Sequence, residues 1–431
     1  MKAHLFRALV LLVSALWSTS AAQTRDGTPL SLDSAVALAL QYHPSVQGSE
    51  AAIKSSAAGH RAALAGYYPS IGVSASGTHT EGTFVFNPSI APRDQIYSSY
   101  TVTLQLNQTL WDFGRTSNRV GAGSSLLDAS VADDRFTRDN VITNVRLAYY
   151  THMQAKQLVG VTEEAYRSTL EHLKQVQAFY SVGRRPQFDV TKAEVDVANA
   201  NVTAITARNQ ARVTRLQLEN AIGIRFNGPI MVADTFEVHP FEQSLDSLES
   251  EALSGRPDLR AAELRVEAND ELASAATSQH FPVLAATGTY TWSNFRTWPL
   301  YNRWVAGVTL SLPLFQGFAL VAAEQQAEAN ADAARADLRT AMENARLDVE
   351  QNYLTVREAL ERISASVKLV ESSQQSYVLA ERQYAAGVAS AIEVSDAQLT
   401  LSNARITRIQ ALFDYNSAYA RLLRAIGRTQ P

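Results

Sequence analysis

Two rhythms of apolar residues divide this chain. From Pro69 to Leu110, and again from Pro282 to Leu314, the period is two. Ile71, Val73 and Ala75 alternate with Gly72, Ser74 and Ser76, and Tyr100, Val102, Leu104 and Leu106 alternate with Thr101, Thr103, Gln105 and Asn107. In the later stretch Val283 to Trp292 alternates small and apolar residues. Trp304, Ala306, Val308, Leu310 and Leu312 then alternate with Val305, Gly307, Thr309 and Ser311. Period two marks a strand with one apolar face, and ~9–11 residues is what a tilted strand needs to cross a bilayer. The pattern predicts strands at about 69–80, 100–111, 283–293 and 303–313, with loops at about 81–99 and 293–302.

Elsewhere the steps are three and four. Neither Gly nor Pro interrupts Phe318 to Ala386, and Leu338, Met342, Ala345, Val349, Tyr353, Val356, Leu360, Ile363, Val367 and Val370 trace a coiled-coil seam. A helix is expected over 318–386 and a counterpart over 116–182, each roughly 100 Å long at 1.5 Å per residue. Gly183 and Gly387 end them as left-handed caps. Return helices follow at 188–222 and 392–426, with Asp189 or Glu393 in the first turn, where the helix dipole favours an acid. A shorter helix over 32–66, with an early break at Pro44, has its partner in 244–280. Two short helices stacked end to end match the length of one long helix and can run antiparallel to it.

These elements occur twice. Leu110–Gly223 superposes on Leu314–Gly427 at a constant offset of 204, with Tyr180 on Tyr384 and Gly183 on Gly387. Upstream the offset is 213, with Pro44 on Pro257. The difference must lie in a loop, because continuous packed elements do not tolerate insertion. The chain therefore divides into a first repeat, 23–223, a linker, 224–243, a second repeat, 244–427, and a tail, 428–431. The linker carries Pro229, Asp234 and Pro240 and should cross the outside between the halves.

Residues 1–22 read as a signal peptide: Lys2 and Arg7 flank the apolar run Leu9–Trp17, and Ser20-Ala21-Ala22 precedes the expected cut. The chain has no Cys, which excludes disulfides. Its net charge of −4 argues against a nucleic-acid partner. After the leader no apolar stretch approaches the ~20 residues of a membrane helix, so any membrane contact falls to the strands. Four strands from one chain leave two open edges, which lipid does not allow. Three copies would close a 12-stranded barrel, whereas two would give eight strands, too narrow for a channel. Trp111, Trp292, Trp298 and Trp304 lie in or beside the strands, as membrane-interface aromatics do.

The duplicated order of elements, the paired Gly turns and several short motifs resemble the TolC-type outer-membrane factor family. The motifs are Ala39-Leu40 with His43-Pro44, Arg256-Pro257-Asp258-Leu259, and Tyr384-Ala385-Ala386-Gly387 running into Ile392-Glu393-Val394-Ser395-Asp396-Ala397. The resemblance implies a mostly α fold with a small β part: a homotrimer whose 12-stranded outer-membrane barrel continues into a 12-helix periplasmic α-barrel. It also implies docking to a periplasmic adaptor and, through it, an inner-membrane pump. The chain would be a passive exit duct of a tripartite efflux system, or alternatively the outer-membrane part of type I protein secretion. The Arg256-Pro257-Asp258-Leu259 version is closer to drug and metal efflux members. A rival of another class is a structural coiled-coil envelope protein whose alternating segments are separate hairpins.

Both Gly turns should sit at the periplasmic tip. The resemblance makes Asp189 and Tyr384 a gate pair linking neighbouring helices, and Glu393 and Asp396 acids ringing the entrance. Gly183, Arg184, Arg185, Gly387 and Val388 would meet the adaptor. The arginine usual in the family is missing at Ala389, and Arg184 or Arg185 is the candidate substitute. The alternative for the acids is simple helix capping on a solvated face. Enzyme chemistry finds no motif: there is no Gly-x-Ser-x-Gly elbow, phosphate loop or His-Glu-x-x-His. His43, His60, His79, His152 and His172 are scattered, so no metal site or cofactor is expected.

Overall fold

The computed structural model describes residues 30–84, 93–226, 228, 230–232, 235–238, 241–294 and 300–429. The expected leader, Trp298, Pro229, Asp234 and Pro240 lie outside them. The first repeat comprises α1 (Leu32–Tyr42), α2 (Pro44–Leu64), β1 (Ser70–Phe84), β2 (Arg93–Trp111), α3 (Arg115–Ser181) and α4 (Gln187–Ile222). The second comprises α5 (Leu245–Gly255), α6 (Pro257–Thr277), β3 (Val283–Asn294), β4 (Tyr301–Ser311), α7 (Ala319–Ala385) and α8 (Ala391–Ala425). Helices α3 and α7 each have 67 residues, about 100 Å.

The expected helix 32–66 is two helices. His43 takes an extended backbone between them, and Pro44 opens α2 where its missing N–H costs nothing. Arg256 and Pro257 repeat the break. At the start of each repeat the same Ser-Leu-Asp-Ser stretch caps the helix: Ser31 Oγ accepts from the Ser34 N–H, and Ser244 Oγ from the Ser247 N–H.

The long helices define four columns. Helix α3 packs on α1, α2 and α4 on one side and on α6 and α8 on the other, whereas α7 packs on α5, α6 and α8. The order is α2/α4, α3, α6/α8, α7, with open flanks at both ends. Gly223, at the end of α4, meets the α1–α2 break at His43, so these half-length helices abut along α3. Gly427 makes the matching contact with Gly255 in the second repeat.

The seam on α7 departs from expectation. Ala345, Val349 and Val356 are buried, but the line continues through Ala359, Ser366 and Ser373, while Val367 is 45% exposed. Small residues let the backbones approach, so the packed face is not the one with the largest side chains. The linker also departs, because its described part is not merely peripheral. Val232 is buried, it bridges Leu30 in parallel, and Leu30 O accepts from the Tyr149 hydroxyl at 2.9 Å.

A buried imidazole lies among several titratable groups inside the helical body. His152 on α3 is 4% exposed, with Nδ1 3.1 Å from Thr214 Oγ1 on α4. Burial, then Lys156 and Arg215, lower its pKa to about 4. The unfolded chain takes up this proton near pH 6.5 and the folded chain does not. Stability is therefore full above about 6.5 and falls between there and about 4, by about 3 kcal/mol. Melting of the detergent-purified protein at pH 7 and pH 4.5 should show a smaller acid loss in His152→Gln than in wild type. An equal loss would assign the acid sensitivity elsewhere.

The strands form one antiparallel sheet in the order β1-β2-β3-β4, so the two hairpins are joined through β2 and β3 rather than separate. The first hairpin outruns the expected 81–99 loop, with pairing that continues to Phe84 opposite Arg93. Alternation marks only the depth at which one face must be apolar; beyond it the backbone ladder persists without that pattern.

Candidate functional site

Directly opposed residues in an antiparallel pair share a face, so the register sorts the sheet into rows. Val73, Leu104, Tyr290 and Trp304 form one row, and Ile71, Leu106, Gly288 and Ala306 the next. On the opposite face lie Ser74, Thr103, Thr291 and Arg303, then Gly72, Gln105, Thr289 and Val305. One face is apolar and the other largely polar.

Trp111 reaches the apolar face by an irregularity. Strict alternation from Gln105 and Asn107 puts it on the polar side. A register shift between Thr109 and Trp111 brings it opposite Leu284, which itself opposes Leu310. A β-bulge has this effect: one extra residue turns the next side chain over. Trp111 is 60% exposed and edges onto Phe113, whose ring stacks on Phe281 at 5.3 Å. Tyr67, Tyr68, Phe315 and Phe318 are also exposed at strand ends. All four junctions between sheet and helices therefore carry aromatics. Tryptophan counting missed this collar, although the sequence has at least one aromatic at the helix-side end of every strand. The step from Trp304 to Phe315 is roughly 36 Å of extended chain, about 25 Å in height at a 45° tilt, the depth of an outer-membrane apolar band.

At the far end the long helices turn. Gly183 (φ +74) and Gly387 (φ +83) adopt the left-handed conformation with open space around them. Arg184 N–H donates to Phe179 O and Val388 N–H to Gln383 O, both at 2.9 Å, the wide bond of a Schellman turn. The turns differ beyond that. Pro186 leads into α4, whereas Ser390 opens α8 with a capping box: its Oγ accepts from the Glu393 N–H, and the Glu393 carboxylate accepts from the Ser390 N–H. Glu393 is thus engaged as a cap, a role that Ser-x-x-Glu spells in sequence. Asp396 is exposed, and Asp189 is half-buried in the first turn of α4.

Tyr384 is buried (1% exposed) among Val176, Ala193, Ala389, Ala391 and Val394, yet its repeat counterpart Tyr180 is 45% exposed. The Tyr384 hydroxyl has no hydrogen-bond partner among the described residues, so the expected bond to Asp189 is not made within this chain. Burial raises its pKa, Arg185 lowers it, and Asp189 raises it. The residue that does reach Tyr384 is Arg185. Its guanidinium lies 4.6 Å from the ring centroid, and Nη2 donates to Ala389 O at 2.8 Å. Arg184 makes no comparable contact to the second turn in the described bonds. His172 packs edge-on to Tyr384 at 5.1 Å, and burial lowers its pKa against the pull of Asp196, Glu381 and Asp189. Asp196 joins the turns further along, holding Lys192 at 2.5 Å and accepting from Ser395 Oγ at 2.8 Å.

The family model described as outer membrane efflux protein matches residues 35–224 and 248–428. The chain is 26% identical over 343 residues to the alkaline protease secretion protein AprF of Pseudomonas aeruginosa, covering 76% of this chain and 70% of that protein. It is 24% identical over 360 residues to the toluene efflux pump outer membrane protein TtgC of Pseudomonas putida, covering 82% and 74%. Its fold matches the outer-membrane channel OprN with a TM-score of 0.83 at 20% identity, over 92% of this chain and 89% of the other.

Proposed function

The chain belongs to the outer membrane efflux protein family, and we propose that it is the exit duct of a tripartite efflux system, set in the outer membrane and extending into the periplasm. The observation that carries this reading is the sheet. It has one apolar face, one largely polar face and two unpaired edges, and it continues into helices of 67 residues. Unpaired edges cannot face lipid, so β1 of one copy pairs with β4 of the next. Three copies close twelve strands, and the four columns of each copy together make twelve around a tunnel. Exposed apolar residues on the outermost columns, Val195, Val202 and Leu216 on α4 with Leu347, Leu354 and Leu379 on α7, are the surfaces that neighbours cover. The polar face, with Gln105, Asn107 and Arg303, lines the lumen.

The aromatic collar, with Trp111 at one level and Trp292 and Trp304 at the other, meets lipid headgroups. The tips at Gly183, Arg184, Arg185, Gly387 and Val388 present themselves to the periplasmic adaptor, which links the duct to the inner-membrane pump. Val388 is 80% exposed there, with Val182 and Phe188 beside it. Asp189, Tyr384, Glu393 and Asp396 surround the entrance, where exposed Asp396 is the acid free to form a ring of charge. The duct conducts passively and performs no chemistry. Type I protein secretion is the second reading, favoured by the similarity to AprF.

Purified protein added to planar bilayers is expected to form ion-conducting pores; protein that stays soluble without detergent and never conducts would end the duct reading. Deleting the gene should raise cellular accumulation of small toxic solutes while leaving protein export unchanged. The reverse result would favour secretion.

A further inference from the structure

The membrane-depth strands are almost without charge. Across residues 70–80 and 96–111, Val283–Asn294 and Tyr301–Ser311 the sheet contains no Asp, Glu or Lys and one Arg, Arg303 on β4. Arg303 is exposed and belongs to the polar face, in the row Ser74, Thr103, Thr291, Arg303. Its guanidinium has no ion pair or hydrogen bond among the described residues. The row beside it supplies hydroxyls, with Thr103 Oγ1 and Thr291 Oγ1 3.4 Å apart. A planar cation with five N–H donors thus stands next to hydroxyl donors, and no carboxylate on that face neutralises it. This donor set suits phosphate, sulfonate or carboxylate groups. On the duct reading, on which this inference rests, the barrel has three such rows. We propose that Arg303, in three copies, forms an anion-binding ring inside the barrel, where the duct holds organic anions on their way out.

Dimensions favour joint action of the three charges. Strands ~4.8 Å apart and tilted about 40° make a twelve-stranded wall roughly 12 Å in radius. An extended arginine spans about half that radius, which leaves the charges on the order of 10 Å apart, close to the Debye length at physiological salt. Their potentials overlap on the axis, so a multivalent anion is attracted by more than one of them. Trp304, the next residue, lies on the apolar face, so the ring sits at the depth of the outer aromatic level. The exposed acid Asp396 belongs to the opposite end of the duct. Arg303 also lies on an edge strand, where an inward charge discourages pairing with a wrong strand. That use is served by a charge of either sign, whereas holding an anion requires a cation.

The test is single-channel recording of the full-length protein in planar bilayers, with inorganic tripolyphosphate added on the barrel side. The probe should block wild type, and added KCl should relieve the block. Arg303→Gln should weaken the block roughly ten-fold or more, as expected for loss of a charge-assisted bond to an anion. Arg303→Lys should keep part of it, because the charge stays and the planar fork does not. Arg303→Glu should abolish it, and Thr291→Val should weaken it less than Arg303→Gln does. A wild-type pore that conducts without block, equal block in Arg303→Gln, or block that survives in Arg303→Glu would each overturn the ring while the duct stands. Oligomers of Arg303→Gln that fall apart on unheated gels while the surviving pores keep the block would assign Arg303 to the seam between copies and overturn it too. Absence of pores from every protein, wild type included, would remove the duct and the ring together.

Discussion

Gly427→Ala is expected to lower stability by about 3 kcal/mol, although it adds a single methyl group. Gly427 has φ +78, where an L-residue costs ~1–2 kcal/mol. Its new Cβ would lie 2.8 Å from the Gly255 carbonyl oxygen and 3.0 Å from that carbonyl carbon. These are main-chain atoms at the end of α5 and cannot rotate away, so the helix must shift, with an overpacking cost of ~1–3 kcal/mol. Gly387 is the control. Its φ is +83 but nothing lies within 4 Å, so Gly387→Ala should lose only the conformational part, about 1 kcal/mol. Thermal melts in detergent separate the two, and equal losses would refute the close-contact argument.

Arg256→Ala is expected to cost about 3 kcal/mol, the low end for removing one partner of a buried pair, because this ionic network is only partly buried. Arg256 forms two parallel bonds with Asp258, at 3.0 and 2.8 Å, and a third with Asp348 at 3.1 Å. It also donates to Ala425 O at 3.3 Å, a carbonyl at the end of α8. Arg424 reaches the same Asp348 oxygen at 3.0 Å and continues to Asn140 on α3. One guanidinium thus ties α5, α6, α7 and α8 together at their common corner. Arg256→Lys cannot reproduce the planar fork and should recover only part of the loss. Because Gly427 presses on the Gly255–Arg256 backbone, the double variant should lose less than the sum of the singles; strict additivity would show that the two contacts are independent.

How much of this was legible depends on the kind of interaction. Alternation named the apolar rows of the sheet, because a membrane-facing strand has no other way to be written. The equal repeats told where the long helices turn. The bulge at Trp111 was hidden, since it breaks the very alternation used to read the strand. The extension of β1 to Phe84 was hidden because a backbone ladder leaves no side-chain signature. Arg256-Pro257-Asp258-Leu259 stood out as a motif, but its role as a four-helix tie needs Asp348 and Arg424, far along the chain. Ser390 and Glu393 spelled a cap, although the resemblance drew attention to a ring of charge. The contact of Arg185 with the Ala389 carbonyl has no sequence signature, because it exists only once the two turns are brought side by side.

The bare edges of the sheet have a consequence for timing. A lone copy entering lipid would carry two rows of unpaired peptide groups, each costing several kcal/mol in hydrocarbon. Entry is therefore a reaction of the closed ring and not of the chain. On the proposed ring of three copies, its rate at low concentration should rise with the third power of chain concentration, so a modest fall in supply delays insertion far more than in proportion. The cell's control over how many exits it has lies in the reaction order of their assembly.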